Sequence, residues 1–149
     1  MFRAFLVIFA IIFNIVCSNE VEALYDFGSK SETTHPIDKD LSTCIEKNAT
    51  SDGMNSCTQI AYEQWDLELN DNYKLLMAML VGEEKQDLKK AQINWIQFRD
   101  AETQFRMDTF LNNQGSMYSN MAMAEKVAIV SERAEELGRL YQTLRASRE

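Results

Sequence analysis

The sequence has one histidine, one proline and three cysteines among its 149 residues. His35 and Pro36 are neighbours in a stretch of serine, threonine and acidic residues. The only histidine lies outside the segments with helical periodicity, so it is poorly placed to act as the base of a hydrolase nucleophile–base pair. A glycosidase that uses two carboxylates is a weaker alternative, since no carboxylate pair is set apart in an evident pocket. We therefore expect no enzyme, no catalytic residue, no metal site and no cofactor.

Positive charge is also scarce. Lysine and arginine number 15 against 23 aspartates and glutamates, which gives a net charge of −8. Phosphate repels such a chain, so nucleic acid is an unfavourable partner. A basic protein partner is favoured, mainly because opposite charge speeds its encounter with the chain. Acidity can also serve solubility alone, so it does not identify a partner.

Long apolar runs are absent apart from residues 4–17, which follow Arg3. A permanent membrane span needs about 20 apolar residues, so this run is too short. It fits a secretory signal peptide over residues 1–18, which predicts a periplasmic or secreted protein without a membrane span. The alternative is a lipoprotein anchored at Cys17, although the residues before it match the usual lipoprotein sequence poorly.

Removal of residues 1–18 leaves two cysteines, Cys44 and Cys57, and changes the net charge from −8 to −9, because Arg3 is lost. An even number of cysteines in an exported chain indicates one disulfide. Two free thiols are the alternative. The remaining length suits one domain with one core.

Residues 19–40 are predicted to be a flexible acidic linker, and residues 41–149 a helical domain. A short turn or helix around residues 41–47 would carry Cys44 to the main body. After it, apolar residues recur at steps of three and four, which predicts three long helices with turns near Gly82 and Gly115. No strand pattern is present. We therefore predict an all-α, up-down-up bundle of three helices.

The second long helix has a predicted inner face with several large side chains. It comprises Leu88, Ala91, Trp95, Phe98, Glu102, Phe105 and Thr109.

Polar residues on facing helices suggest a shared layer. If the first two long helices pack antiparallel about Gly82, Asp66 lies level with Arg99, and the second turn brings Arg133 to the same height. The predicted layer contains Asp66, Asn70, Tyr73, Gln92, Trp95, Arg99, Asp100 and Arg133. We interpret it as a hydrogen-bonded network that fixes helix register. A ligand pocket built from the same groups is the alternative.

The same residues carry a resemblance to a known family. After Cys44 and Cys57 come Asp66-x-x-Leu69-Asn70-x-x-Tyr73, then Leu88-x-x-Ala91-Gln92-x-x-Trp95-Ile96-x-Phe98-Arg99-Asp100-Ala101-Glu102, then Arg133-x-x-x-Leu137. This pattern resembles the LprI-like lysozyme-inhibitor family, small exported helical proteins of bacterial envelopes whose members mostly lack an assigned activity. The resemblance implies a module that binds a protein, with lysozyme as the candidate partner and steric occlusion of its cleft as the mechanism. A structural or stress-related envelope protein with another partner is the alternative.

The chain departs from the family pattern at two cysteines. Thr103 stands where the family usually has a cysteine, and no cysteine occurs around residues 123–125. Their joint absence is expected if those two pair with each other, and this supports a Cys44–Cys57 bridge here. It also implies a weaker connection between the second and third long helices.

Two further predictions concern the surface. Met117, Met121 and Met123 could bind Cu(I) through their thioethers, but helix packing is the simpler role for them. If the chain binds lysozyme, we expect contacts from exposed acids of the linker and from the second turn. These candidates are Asp26, Glu32, Asp38, Asp40, Asn112, Asn113 and Gln114.

Overall fold

The computed structural model describes residues 34–112 and 115–148. This part of the chain is helical, with α1 at Pro36–Lys47, α2 at Ser51–Met79, α3 at Gly82–Leu111 and α4 at Ser116–Ala146. The all-α prediction is confirmed, but the prediction of three helices is wrong, because α1 is a fourth. The predicted signal peptide, residues 1–18, lies outside the described residues.

The additional helix α1 begins inside the segment that was predicted to be a linker. Pro36 occupies its first turn, where the missing N–H costs nothing, and the His35 side chain accepts a hydrogen bond from the Ile37 backbone N–H at 3.4 Å. Asp38 in the first turn and Lys47 in the last complement the helix dipole. The sequence analysis predicted only a short turn or helix around residues 41–47, because the apolar face of α1 is short and none of its residues is fully buried.

α1 runs antiparallel to α2 and is fixed at both ends. Near its start, the Trp65 indole N–H donates to Asp38 at 3.2 Å, and the His35 ring lies 4.2 Å from the Trp65 ring. Near its end, Cys44 and Cys57 form the predicted disulfide, which is confirmed. His35 is therefore part of the packed structure, with its Nε2 3.3 Å from a Glu68 carboxylate oxygen.

The three long helices run up, down and up, but their packing differs from a simple hairpin series. α4 lies parallel to α2, as shown by hydrogen bonds from Asn55 to Ser119 and from Asn72 to the Ala134 carbonyl, at 3.4 and 3.0 Å. α2 and α3 make no extensive contact with each other among the described residues. The expected antiparallel packing of these two helices is therefore wrong, and α4 holds both of them.

Small side chains explain why α2 prefers α4. Gly138 brings α4 so close that a Cβ there would be 3.0 Å from the Asn72 amide nitrogen, and Ala134 is fully buried at the same contact. Close approach of two helix backbones buries apolar surface efficiently. The core formed in this way comprises Trp65, Leu69, Leu76, Leu80, Leu88, Val127, Val130, Ala134 and Leu137.

α3 is held on one side only. Leu88 and Gln92 are its only buried residues, whereas the aromatic side chains of Phe98 and Phe105 are 55% and 63% exposed. The predicted inner face is therefore wrong at these two phenylalanines, and also at Ala91 and Thr109, which are exposed. The face against α4 instead follows Leu88, Gln92 and Trp95, because the helix carries apolar residues on several sides and the pattern alone does not select one.

Candidate functional site

α2 and α3 both pack against α4 and make no extensive contact with each other among the described residues, so their side chains leave an open surface between them above α4. We call it the Tyr62–Arg99 groove and define it by seven residues from the three helices. They are Tyr62, Asp66 and Asn70 of α2, Trp95 and Arg99 of α3, and Lys126 and Arg133 of α4.

The innermost polar contact of the groove joins α3 to α4. Gln92 is 8% exposed, and its side-chain oxygen accepts hydrogen bonds from Nε and Nη2 of Arg133, both at 3.2 Å. Arg133 also donates to Glu136 through Nη1 at 2.7 Å. A buried amide oxygen with a charged donor is a strong arrangement, because both groups are satisfied where water has little access.

Trp95 lies beside two guanidinium groups. The central carbon of Arg99 is 5.4 Å from the Trp95 ring centre, and that of Arg133 is 6.0 Å away. These distances are typical of cation–π contacts. Arg99 donates twice to one carboxylate oxygen of Asp100, at 2.8 and 2.7 Å, and the Asp100 side chain is 63% exposed. Trp95 and Arg99 are themselves only partly exposed, and the Arg99 side chain is 23% exposed.

The α2 side of the groove is more open than the predicted layer. Asn70 is exposed, and its amide donates to the backbone and side-chain oxygens of Asp66 at 2.7 and 3.1 Å. Tyr73 packs against the core. The eight residues of the predicted layer are therefore brought together in three groups: Gln92, Trp95 and Arg133 with Arg99 and Asp100; Asp66 with Asn70; and Tyr73 alone.

Tyr62 and Lys126 belong to the groove and were missed by the sequence interpretation. The Lys126 ammonium lies 4.0 Å from the centre of the Tyr62 ring. Burial raises the pKa of Tyr62 above its usual 10.0; Arg99 lowers that pKa, and Asp66 and Asp100 raise it. Tyr62 therefore lies close to charges on both α2 and α3. Its position one turn before Asp66 was the available signal.

A second surface feature lies at the N-terminal end of α2. Asn55 and Gln59 precede Tyr62 on the same helix face, and with Ser119 and Met123 of α4 they line a shallow open depression. The side-chain oxygen of Asn55 is buried there without a hydrogen-bond donor among the described residues. The depression is nevertheless mainly apolar, because Ile60 and Met123 also line it.

A charged contact joins α3 to α4 near the missing family cysteines. Arg106 pairs with Glu102 on its own helix at 2.8 Å and with Glu125 on α4. The hydrogen bond to Glu102 is the largest cause of a raised Arg106 pKa. The expected weaker connection between these helices is thus partly offset by an ion pair at the same level.

The predicted partner-binding residues are scattered. Asp38 is half-buried and accepts a hydrogen bond from the Trp65 indole. Asp40 is exposed on α1, and Asn112 is exposed at the end of α3. Asp26, Glu32, Asn113 and Gln114 lie outside the described residues. Between residues 34 and 148, wherever the structure describes the chain, no three histidine, cysteine or acidic side chains are grouped as metal ligands.

The three methionines predicted to pack within the third long helix differ in their surroundings. Met117 and Met121 are 63% and 41% exposed, whereas Met123 lines the depression beside Asn55. Met117 and Met121 are therefore not buried by helix packing, whereas Met123 is half-buried.

The two arginines of the groove should differ in their contribution to stability. Arg133→Ala leaves the buried Gln92 oxygen without its donors, so we expect a loss of about 1–3 kcal/mol in the free energy of unfolding. Arg99→Ala removes an ion pair with an exposed neighbour and one cation–π contact, for which about 0–1 kcal/mol is expected. Urea unfolding of both variants measures the difference. Equal losses of unfolding free energy would mean that the contacts of Arg99 stabilise the fold as much as those of Arg133.

The sequence profile of one family matches residues 44–137, which include the disulfide, the groove and most of the three long helices. That family is described as lysozyme inhibitor LprI. The chain belongs to the LprI lysozyme-inhibitor family. A search of curated proteins found no match.

Among solved structures, this LprI-family chain is similar to a protein of unassigned function from Burkholderia thailandensis. The two share 22% identity with a TM-score of 0.69, over 75% of this chain and 56% of that one. At this identity the likeness shows the fold alone, and the chain spans little more than half the length of that protein. None of the helices described in this chain combines the length and apolar character of a membrane span.

Proposed function

We propose that this LprI-family chain is an exported inhibitor that binds lysozyme and covers its substrate cleft. The observation that carries this proposal is the family match over residues 44–137, because it includes the residues that build the groove and not only the helix cores. Steric occlusion needs an exposed binding surface and no catalytic group.

Charge supports a basic wall hydrolase as the partner. The mature chain would carry a net charge of −9, and an acidic inhibitor meets a basic enzyme faster than a neutral one does. Such steering weakens as salt is added, because mobile ions screen exposed charges over about 10 Å at 0.1 M ionic strength. Inhibition should therefore depend on ionic strength.

The Tyr62–Arg99 groove offers anchors for such a contact. Tryptophan, tyrosine and arginine are the residues that most often dominate binding energy at protein interfaces. Tyr62, Trp95 and Arg99 lie together there and remain partly accessible. Asp40 on α1 and Asn112 at the end of α3 stay as candidate contacts at the periphery.

A lysozyme assay tests the proposal. The mature chain, titrated against lysozyme acting on bacterial cell walls at low salt, should reduce the rate in proportion to complex formed, and added salt should relieve the inhibition. An unrelated amidase on the same walls serves as the control for masking of the substrate. Full lysozyme activity at a large molar excess of the chain would refute the proposal.

Three variants locate the contact. Arg99→Ala should weaken inhibition while leaving stability nearly unchanged, which separates binding from folding. Asp40→Lys should weaken it several-fold if α1 takes part. Asp71→Lys is the matched control, because Asp71 is equally acidic and its side chain is 68% exposed on α2. Equal losses for Asp40→Lys and Asp71→Lys would show that net charge alone acts, and would remove α1 from the contact.

A further inference from the structure

The outer side of α3 carries a narrow stripe of exposed residues that its contact with α4 does not use. Its members recur at alternating steps of three and four residues, which places them in one line along the helix. They are Ala91, Asn94, Phe98, Ala101, Phe105 and Asp108, and all six are exposed. We call this the Phe98–Phe105 stripe.

Two aromatic rings in this stripe are left largely in water, at 55% and 63% exposure. A helix with apolar residues on more than one side is ordinarily buried on those sides. Contiguous exposed apolar surface of this kind usually marks a contact with another molecule.

The stripe of one copy is complementary in shape to the stripe of a second copy when the two α3 helices run antiparallel. When a second α3 lies antiparallel with its Ala101 opposite Phe98, Phe105 falls opposite Asn94 and Asp108 opposite Ala91. Each large ring then meets a short side chain of the other copy, and the two-fold axis repeats every contact. Alternation of large and small residues is how two helices interdigitate without voids.

Charge favours the same arrangement. In the antiparallel register, Lys90 of one copy lies beside Asp108 of the second copy, so two pairs of opposite charges flank the rings. A parallel pair would instead place each phenylalanine against its own counterpart, and would bring Asp108 against Asp108. The sequence of the stripe therefore selects the antiparallel pair.

We infer that the chain forms a homodimer through the Phe98–Phe105 stripe, with α3 packed antiparallel against α3 of a second copy. The contact extends over about 18 residues, or roughly 27 Å of helix, which is at the small end of specific interfaces. The dimer is therefore dependent on concentration. The α3 residues of the Tyr62–Arg99 groove, Trp95 and Arg99, are not members of the stripe.

Sedimentation equilibrium of the mature chain tests the dimer. The mean mass should rise towards twice that of the monomer as concentration increases. Phe98→Glu and Phe105→Glu should each keep the chain monomeric, with unchanged circular dichroism because both side chains are already exposed. Leu67→Glu is the matched control, since Leu67 is 66% exposed on α2 and should leave dimerisation intact.

Cysteine cross-linking tests the direction. A mixture of Ala91→Cys and Asp108→Cys chains should form a disulfide-linked dimer after mild oxidation, whereas neither variant should cross-link alone. Cross-linking of Ala91→Cys by itself would indicate a parallel pair and overturn the proposed register. A chain that stays monomeric at high concentration, or a dimer that survives both glutamate variants, would overturn the interface. If a monomeric chain loses lysozyme binding in Phe98→Glu, the stripe belongs to the enzyme contact and not to a second copy.

Discussion

Replacement of Trp65 by alanine should lower the free energy of unfolding by about 3–5 kcal/mol, because it removes the largest fully buried side chain of the core. Trp65 has no exposed surface, and its ring packs where α1, α2 and α4 meet. A loss of this size is a large part of the total stability of a small domain, typically 5–15 kcal/mol. Urea unfolding followed by circular dichroism measures it.

Trp65→Phe separates the ring from its hydrogen bond. Phenylalanine keeps most of the apolar volume but cannot donate to Asp38, so we expect a smaller loss, near 1 kcal/mol for the missing hydrogen bond plus the lost volume. Fluorescence gives a second readout, because the tryptophan left in either variant is the partly exposed Trp95. Emission should therefore shift to longer wavelength. A loss below about 1 kcal/mol in Trp65→Ala would contradict the central position of this ring.

The regular features of the fold could be predicted from the sequence. Apolar residues recur in α2 at steps that suit only a helix, and Trp65, Leu69 and Leu76 are indeed buried. The disulfide followed from a count of two cysteines in a chain that is expected to be exported. The first prediction depends on local spacing and the second on the number of cysteines, and neither changes with the way the long helices are arranged.

The arrangement of the helices could not be predicted in the same way. The level positions of Asp66 and Arg99 were inferred from a hairpin at Gly82, and both charges do lie near Tyr62. The direct packing of α2 on α3 was not found, because α2 packs against α4, where Ala134 and Gly138 allow a closer approach. Two helices joined by a short turn need not be neighbours along their length. The result is a groove in place of a closed layer, with Gln92 and Arg133 inside it and Asn70 in solvent.

The orientation of α3 is ambiguous for a different reason. Both the line through Leu88 and Trp95 and the line through Phe98 and Phe105 carry large apolar side chains, so either could face inward. Trp95 is selected because Arg133 and Gln92 are satisfied on that side. Contact with another molecule would explain the two phenylalanines on the second line. A contact between molecules leaves no periodic signal that distinguishes it from a contact within the chain, so the sequence alone could not show which line faces inward.

Loss of the Cys44–Cys57 disulfide should cause the other large loss of stability. The first structural effect should be confined to α1. The two cysteines are 13 residues apart, and closing a loop of that length stabilises a protein by about 3 kcal/mol in the chain-entropy model. α1 has 12 residues and none of them is fully buried, so it has little helical stability of its own. In a Cys44→Ala/Cys57→Ala variant we therefore expect amide hydrogen exchange in residues 36–47 to rise well before exchange in the long helices.

The contacts that remain decide how far this release goes. Asp38 still accepts from the Trp65 indole and Ile37 still packs on the core, so the first turn of α1 should stay protected longer than the turn near Cys44. The reduced and alkylated wild-type chain is the control, because it breaks the same bond without changing the backbone. A uniform rise of exchange in all four helices would show that α1 and the three long helices unfold as one unit. An unchanged unfolding midpoint would show that packing on α2, and not the covalent bond, holds α1 in place.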